Sequence, residues 1–406
     1  MVFLIESHLN LNTCMKNLLL LLVFSLFSIQ SLAASNINFP GKFYTTEIKS
    51  CKAMADTPTF SEASQIKKVK GLAGYDWHSD WEANSTSLRP SHHAITLPIQ
   101  IFMTATHNAI ANDNQANIII AKNLLLDLAK ADTLYDSIGY NEVRKKPMCY
   151  ANGDPNSPCW FHEYQYARNV FARYIITSLW LRDELSEQEF KIVDQYINQM
   201  YKKFIKPIEF HKEEKGFYQM ANGGMAILAY ASWTNDKELA AKEITHRFKE
   251  IDSLFYEDGY INDNSFRGYK GQFYHSLGLD SALGYVYVAK LWGADVPEKL
   301  QNKLVKASEV TNLAITDWDK FKSRQHTEIA FNAILDSKNA AKHTHQQAFA
   351  LGTLMKIVTG EELEYDAEYS FFVKNNGPVK YNGVVIGLGD RNGTDPFIGF
   401  NPNCIN

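Results

Sequence analysis

Apolar residues recur at helical spacing along most of this chain from Ile99 onward. Between Asn114 and Lys130, the residues Ile118, Ile119, Leu124, Leu125 and Leu128 predict one face of a helix. Trp160 to Asp183 predicts a longer helix, with Tyr164, Ala167, Phe171, Tyr174, Ile175, Ser178 and Leu179 on one stripe. Ser186-Glu-Gln-Glu189 has the form of a capping box and opens the next helix, which ends before Pro207. Met220-Ala-Asn222-Gly-Gly-Met-Ala starts a helix of small residues, which permit close packing. Asp236 to Leu254 is amphipathic, and Gly259 breaks the chain after it. The stretch from Arg267 through Tyr274-His275 then feeds an apolar helix that continues through Leu279, Leu283, Val286 and Leu291. Pro297 to Asp317 and Ala340 to Thr359 complete the helical pattern.

These helices come in pairs separated by turns, with no repeat in sequence. The expected fold is all-α: an (α/α) toroid, or an incomplete helical barrel of helix hairpins, spanning residues 99–360. An irregular helical bundle is the competing arrangement. Residues 34–98 read as an irregular N-terminal segment and lid. Past Glu361 the period changes. Tyr369-Ser-Phe-Phe-Val373, Asn375-Asn-Gly-Pro and Val379 to Ile386 predict short strands and a hairpin. Residues 361–406 are therefore expected to form a short β-rich tail, a flap packed on the helices.

The N-terminus changes the cellular picture. Lys16, the apolar run from Leu18 and Ser31-Leu-Ala33 predict a secretory signal peptide over residues 1–33, with Met15 as an alternative start. The apolar run is too short to span a bilayer. A periplasmic or secreted protein, free of the membrane after cleavage, is the expectation. Asn84-Ser-Thr86 is a glycosylation sequon, which matters only in a eukaryotic secretory route. Four cysteines remain after the signal: Cys51, Cys149, Cys159 and Cys404. An even number in an exported chain suggests disulfides, and three pairings are open. The turn-rich loop between Cys149 and Cys159 could close on itself, and Cys51 with Cys404 would then tie the ends together. The spacings do not match a zinc cluster, so no metal is expected. A net charge of −4 over 406 residues, mixed in sign, points away from nucleic acid. The expectation is a monomer without a cofactor.

Aromatic residues make up 13% of the chain, with 21 Tyr and 7 Trp, enough for a groove of flat rings that stack on sugars as well as a packed core. Three groups of candidate site residues stand out. The first is Arg267, Tyr274 and His275, a guanidinium, a phenol and an imidazole at the start of an apolar helix. The second is Asn222, between Ala221 and two glycines, which also fits a helix N-cap. The third is Trp77, His78 and Trp81, with His162, Tyr164 and Arg168 after the cysteine loop, as substrate-binding residues.

The order of elements and two motifs resemble the alginate lyase type of polysaccharide lyase, the (α/α) toroid mannuronate lyases and their relatives. In that family an Asn-Asn-His segment opens a helix of small residues, and an Arg lies seven positions before a Tyr-His pair. Met220-Ala-Asn222-Gly-Gly-Met-Ala resembles the first motif, and Arg267 through Tyr274-His275 matches the spacing of the second. The Asp258-Gly259-Tyr-Ile turn also looks alike. The resemblance covers Trp160 to Leu291, and it departs in the first motif, which here lacks the family's histidine. His78 or His162 could supply an imidazole from elsewhere.

The resemblance implies β-elimination at a uronate in an anionic polysaccharide. The proton next to a charged carboxylate is weakly acidic, so donors or a cation must hold the dianion formed as it leaves. Asn222 and Arg267 would stabilise the carboxylate. Arg267 would also favour the tyrosinate form of Tyr274, which would act as base and then, as a phenol, as acid. His275 would orient Tyr274 or contact the sugar. Two alternatives stay open. A glycoside hydrolase on the same toroid needs two carboxylates, and Asp252, Asp258, Asp263 and Asp280 are available without a recognisable pairing. A non-catalytic carbohydrate-binding protein needs no catalytic group.

Overall fold

A computed structural model describes residues 59–75, 95, 97–135, 165–206, 217–266, 271–317, 320–321, 323–324, 351–361, 380–381 and 384–385. Helices dominate. They are α1 (Ala63–Ala73), α2 (Leu97–Ala111), α3 (Gln115–Lys130), α4 (Gln165–Trp180), α5 (Glu187–Met200), α6 (Phe217–Thr234), α7 (Lys237–Leu254), α8 (Gly271–Leu291), α9 (Glu298–Thr316) and α10 (Leu351–Thr359). Among the described residues, no helix is long and apolar enough to cross a membrane. Lys380–Tyr381 (β1) pairs antiparallel with Val384–Val385 (β2), with Lys380 opposite Val385. Apart from Glu361, the rest of the segment read as a flap lies outside the described residues, as do the signal peptide and all five cysteines.

The helices pack in two rows. In the first, α2 lies against α4, α4 against α6, α6 against α8 and α8 against α10. In the second, α3 packs on α5 and α7 on α9. Each second-row helix also covers its neighbour in the first, as α3 does α2 and α7 does α6. Charge explains which helix goes where. Neither α2 nor α6 carries an Asp, Glu, Lys or Arg, and α8 carries only Asp280 and Lys290. By contrast α5, α7 and α9 are studded with charge. A helix apolar on all sides has to be buried, whereas an amphipathic one can face water on one side.

Two sequence expectations are corrected by this layering. α4 does not show one buried stripe: every described side chain from Val170 to Leu181 is buried, because helices cover it on more than one side. In α3, Ile118, Leu124, Leu125 and Leu128 are buried as expected, but Ile119 is 56% exposed. One residue is about 100° of helix, enough to turn Ile119 off the face that Ile118 occupies.

Helix ends follow their capping chemistry. Ser186 and Glu189 form the reciprocal capping box that starts α5. Asn114 and Asp236 cap α3 and α7 through their side chains. α5 runs on into a π-type turn, Tyr201–Ile205. Tyr201 there stacks on Tyr230 of α6, with ring centroids 3.5 Å apart and planes 8° from parallel. Tyr230 donates its hydroxyl to Asn198 Oδ1 at 2.7 Å, which joins the same two helices.

Candidate functional site

The segment between α7 and α8 is a small hairpin. Phe255 bridges to Ile261, the Tyr256 N–H donates to the Tyr260 carbonyl, and Gly259 turns the chain at φ +86°. A side chain at Gly259 would fall on the Lys306 carbonyl of α9, so the turn needs glycine for both conformation and space. Tyr260, Phe266, Val310 and Phe321 form a small core of their own behind this hairpin, with Tyr256 packed against it. Arg324 lies over the rings of Tyr260 and Phe266 and pairs with Asp258.

The hairpin ends by gripping the start of α8. Asn264 donates its side-chain N–H to the Tyr274 carbonyl at 2.8 Å. Ser265 Oγ lies 2.8 Å from His275 Nδ1, and His275 Nε2 lies 2.8 Å from the Ala307 carbonyl. Thus two consecutive residues of the hairpin hold two consecutive residues of the helix. Asn264, Ser265 and His275 are fully buried, whereas Tyr274 is half-buried. Burial pulls the His275 imidazole down to about 4, and the Ala307 carbonyl opposes this only in part. His275 is therefore neutral and enclosed. It has no surface to offer a sugar, and its ring nitrogens face Ser265 and the Ala307 carbonyl.

A second buried polar group lies beneath the Asn222 segment. Arg247 gives two hydrogen bonds to Glu243 Oε1, from Nε at 3.0 Å and Nη2 at 2.8 Å, and pairs with Glu250 through Nη1. All three side chains are at most 1% exposed. Burial raises the Glu243 carboxyl despite the adjacent guanidinium. Burial opposes the charge on Arg247 too, but Glu243 and Glu250 outweigh it and raise its proton affinity. Gly224 makes room for the group: a Cβ there would lie 2.8 Å from Glu243 Oε1, 2.9 Å from Arg247 Nε and 2.9 Å from the Tyr285 ring.

That packing explains a departure from the sequence reading. α6 starts at Phe217, so Asn222 lies in its second turn and is not a cap. The Gly223-Gly224 pair does not break the helix, because tertiary contact at Gly224 outweighs the weak helix preference of glycine. Asn222 and Tyr274 lie on adjacent helices at different levels. Gly224 meets α8 at Tyr285, eleven residues beyond Tyr274, and eleven residues span roughly 16 Å of helix rise. Arg168 sits in the first turn of α4. Arg267, Trp77, His78, Trp81, His162 and Tyr164 lie outside the described residues, as do Cys51, Cys149, Cys159 and Cys404.

Asn264, Ser265, Gly278, Glu243, Arg247 and Glu250 were not singled out in the sequence. Some signal was there: a glycine inside an apolar helix, as at Gly278, weakens the helix and points to a packing reason for its presence. The spacing of Glu243, Arg247 and Glu250 was also visible, but it is the spacing of ordinary surface pairs. In comparisons with known proteins, no family model matches the chain and no curated protein matches its sequence.

Proposed function

We propose that this chain is an exported polysaccharide lyase that cleaves a uronate-containing, alginate-like polymer by β-elimination. The observation that carries this reading is the seating of Tyr274. It is a half-buried phenol in the first turns of a helix otherwise almost wholly buried, and it is anchored to the hairpin whose next residue is Arg267. The two-row packing of alternating helices also supports an (α/α) toroid, open or closed, as the scaffold.

In this reading Tyr274, as phenolate, takes the proton next to the uronate carboxylate. The electron pair left behind forms the carbon–carbon double bond and expels the glycosidic oxygen. The phenol then returns a proton to that oxygen, so base and acid act from one face of the sugar. Arg267 holds the carboxylate as negative charge builds on it. Asn222 is the amide donor from the neighbouring helix, and its different level makes Asn222→Ala the variant that tests whether it reaches the same sugar. No metal or cofactor is assigned a role.

The state of the carboxylates favours this reading over a hydrolase. Asp252 is held by Lys299 and Lys303, chiefly by its bond to Lys303, and its carboxyl is lowered accordingly. Asp258 pairs with Arg324, and Asp280 is fully buried. Three of the four candidate carboxylates are thus committed or enclosed, whereas a hydrolase needs two facing its substrate. The test is incubation of the chain, without its signal, with alginate, glucuronan and hyaluronan while ultraviolet absorbance is followed. An unsaturated product from the parent chain and none from Tyr274→Phe is the expected result. Reducing ends without new absorbance point to a hydrolase, and turnover by Tyr274→Phe removes Tyr274 from the mechanism.

A further inference from the structure

Tyr274 is the fourth residue of α8, in the turn whose backbone N–H groups have no partner within the helix. Here an outside group reaches it. The Asn264 amide donates to the Tyr274 carbonyl at 2.8 Å. That carbonyl is at a helical position, and its second lone pair is open to such a donor. The amide comes in over Gly278, one turn along the same face. A Cβ on Gly278 would lie 2.5 Å from Asn264 Nδ2, 3.2 Å from its Cγ and 3.3 Å from Ile261 Cδ1. Glycine is unfavourable inside a helix, so its presence here has to be offset, and the close approach of Asn264 is what it permits.

We infer that Asn264 is the positioning residue for Tyr274 and that Gly278 is the gap that admits it. The inference rests on the reading of Tyr274 as the base. Asn264 sets the height and rotation of the helix turn that carries the phenol. Ser265 does the same for the next residue through His275, which α9 holds from the other side. The hairpin thereby holds two consecutive residues of α8, Tyr274 and His275. Neither Asn264 nor Gly278 has to touch substrate.

The test uses the full mature chain with a single 3-fluorotyrosine at position 274, read by fluorine NMR without any substrate. Asn264→Asp keeps the shape of the side chain and loses the donor. Asn264→Asp and Asn264→Ala are each expected to shift or broaden the resonance. Gly278→Ala, which pushes the amide away while keeping it, should do the same, so the test survives if one variant fails to fold. In thermal unfolding, Gly278→Ala should lower the midpoint of the parent chain but not that of Asn264→Ala, where the clash is gone. With any uronate polymer the parent cleaves, Asn264→Ala should lower kcat on the order of tenfold to a hundredfold and leave KM within about twofold. An unchanged resonance, additive midpoint shifts, or a change in KM alone overturns the inference. A parent chain inactive on alginate, glucuronan and hyaluronan, with the resonance and midpoint effects intact, instead removes the lyase reading and leaves Asn264 as the residue that holds Tyr274.

Discussion

The Ser265 hydroxyl donates its proton to Nδ1 of His275 across 2.8 Å. The direction follows from the other side of the ring. Nε2 faces the Ala307 carbonyl at 2.8 Å, and a carbonyl only accepts, so Nε2 must carry the ring proton and Nδ1 is bare. The Ser265 oxygen in turn accepts the Ile261 N–H at 2.6 Å. One unbroken line of donors therefore runs from the hairpin through α8 to α9, and it requires a neutral imidazole.

Protonating His275 breaks that line, which sets a pH dependence. Its folded value of about 4 lies below the ordinary value of 6.5. Between the two the unfolded chain binds the extra proton and the folded chain does not. Stability from this group is thus fully present above 6.5 and is lost as pH falls toward 4. The full span is worth about 3 kcal/mol. Urea unfolding at neutral pH and near pH 4 should show that loss in the parent chain. The same comparison in His275→Gln should show a smaller loss, and an equal one would mean that His275 titrates normally.

Arg247 should be among the costliest single residues to remove. Arg247→Ala leaves Glu243 and Glu250 buried without their counter-charge, a loss of about 3–5 kcal/mol. Replacing all three with apolar residues of similar volume should cost far less, since no buried charge is then stranded. Denaturant titration of both variants gives the comparison, and equal losses would mean that packing, not charge, sets the cost.

Gly259→Ala should destabilise by more than Gly224→Ala. At Gly259 the new methyl meets main chain of α9 and the backbone is at φ +86°, so neither space nor conformation can adjust. At Gly224 the obstacles are side-chain atoms of Glu243, Arg247 and Tyr285, which can shift by tenths of an ångström. Overpacking of the Gly224 kind costs about 1–3 kcal/mol. Thermal unfolding of the two variants orders them, and the reverse order would contradict the packing at the hairpin turn.

Much of the helical frame was legible from period and capping. Ser186-Glu-Gln-Glu189, Asn114 and Asp236 mark helix starts because their side chains satisfy the free N–H groups there. Leu279, Leu283 and Val286, readable as core from their helical spacing, are completely buried, whereas Leu291 at the end of α8 is only partly so. The start of α6 was not legible, since Gly223-Gly224 looks like a break until Arg247 and Tyr285 are seen to fill the space. The burial of His275 was hidden for a similar reason: its partners Ser265 and Ala307 lie ten and thirty-two residues away. Local pattern reports what a residue prefers, and these positions are decided by neighbours distant in sequence.

The parallel rings of Tyr201 and Tyr230 have an optical consequence. Two phenols in face-to-face contact couple their ultraviolet transitions, so the folded chain should carry a distinctive signal in near-ultraviolet circular dichroism. One ring belongs to the π-type turn and the other to α6, so the signal fades whenever those two segments part. The molecule thus contains an intrinsic gauge of whether its α5–α6 junction is closed, readable without any label.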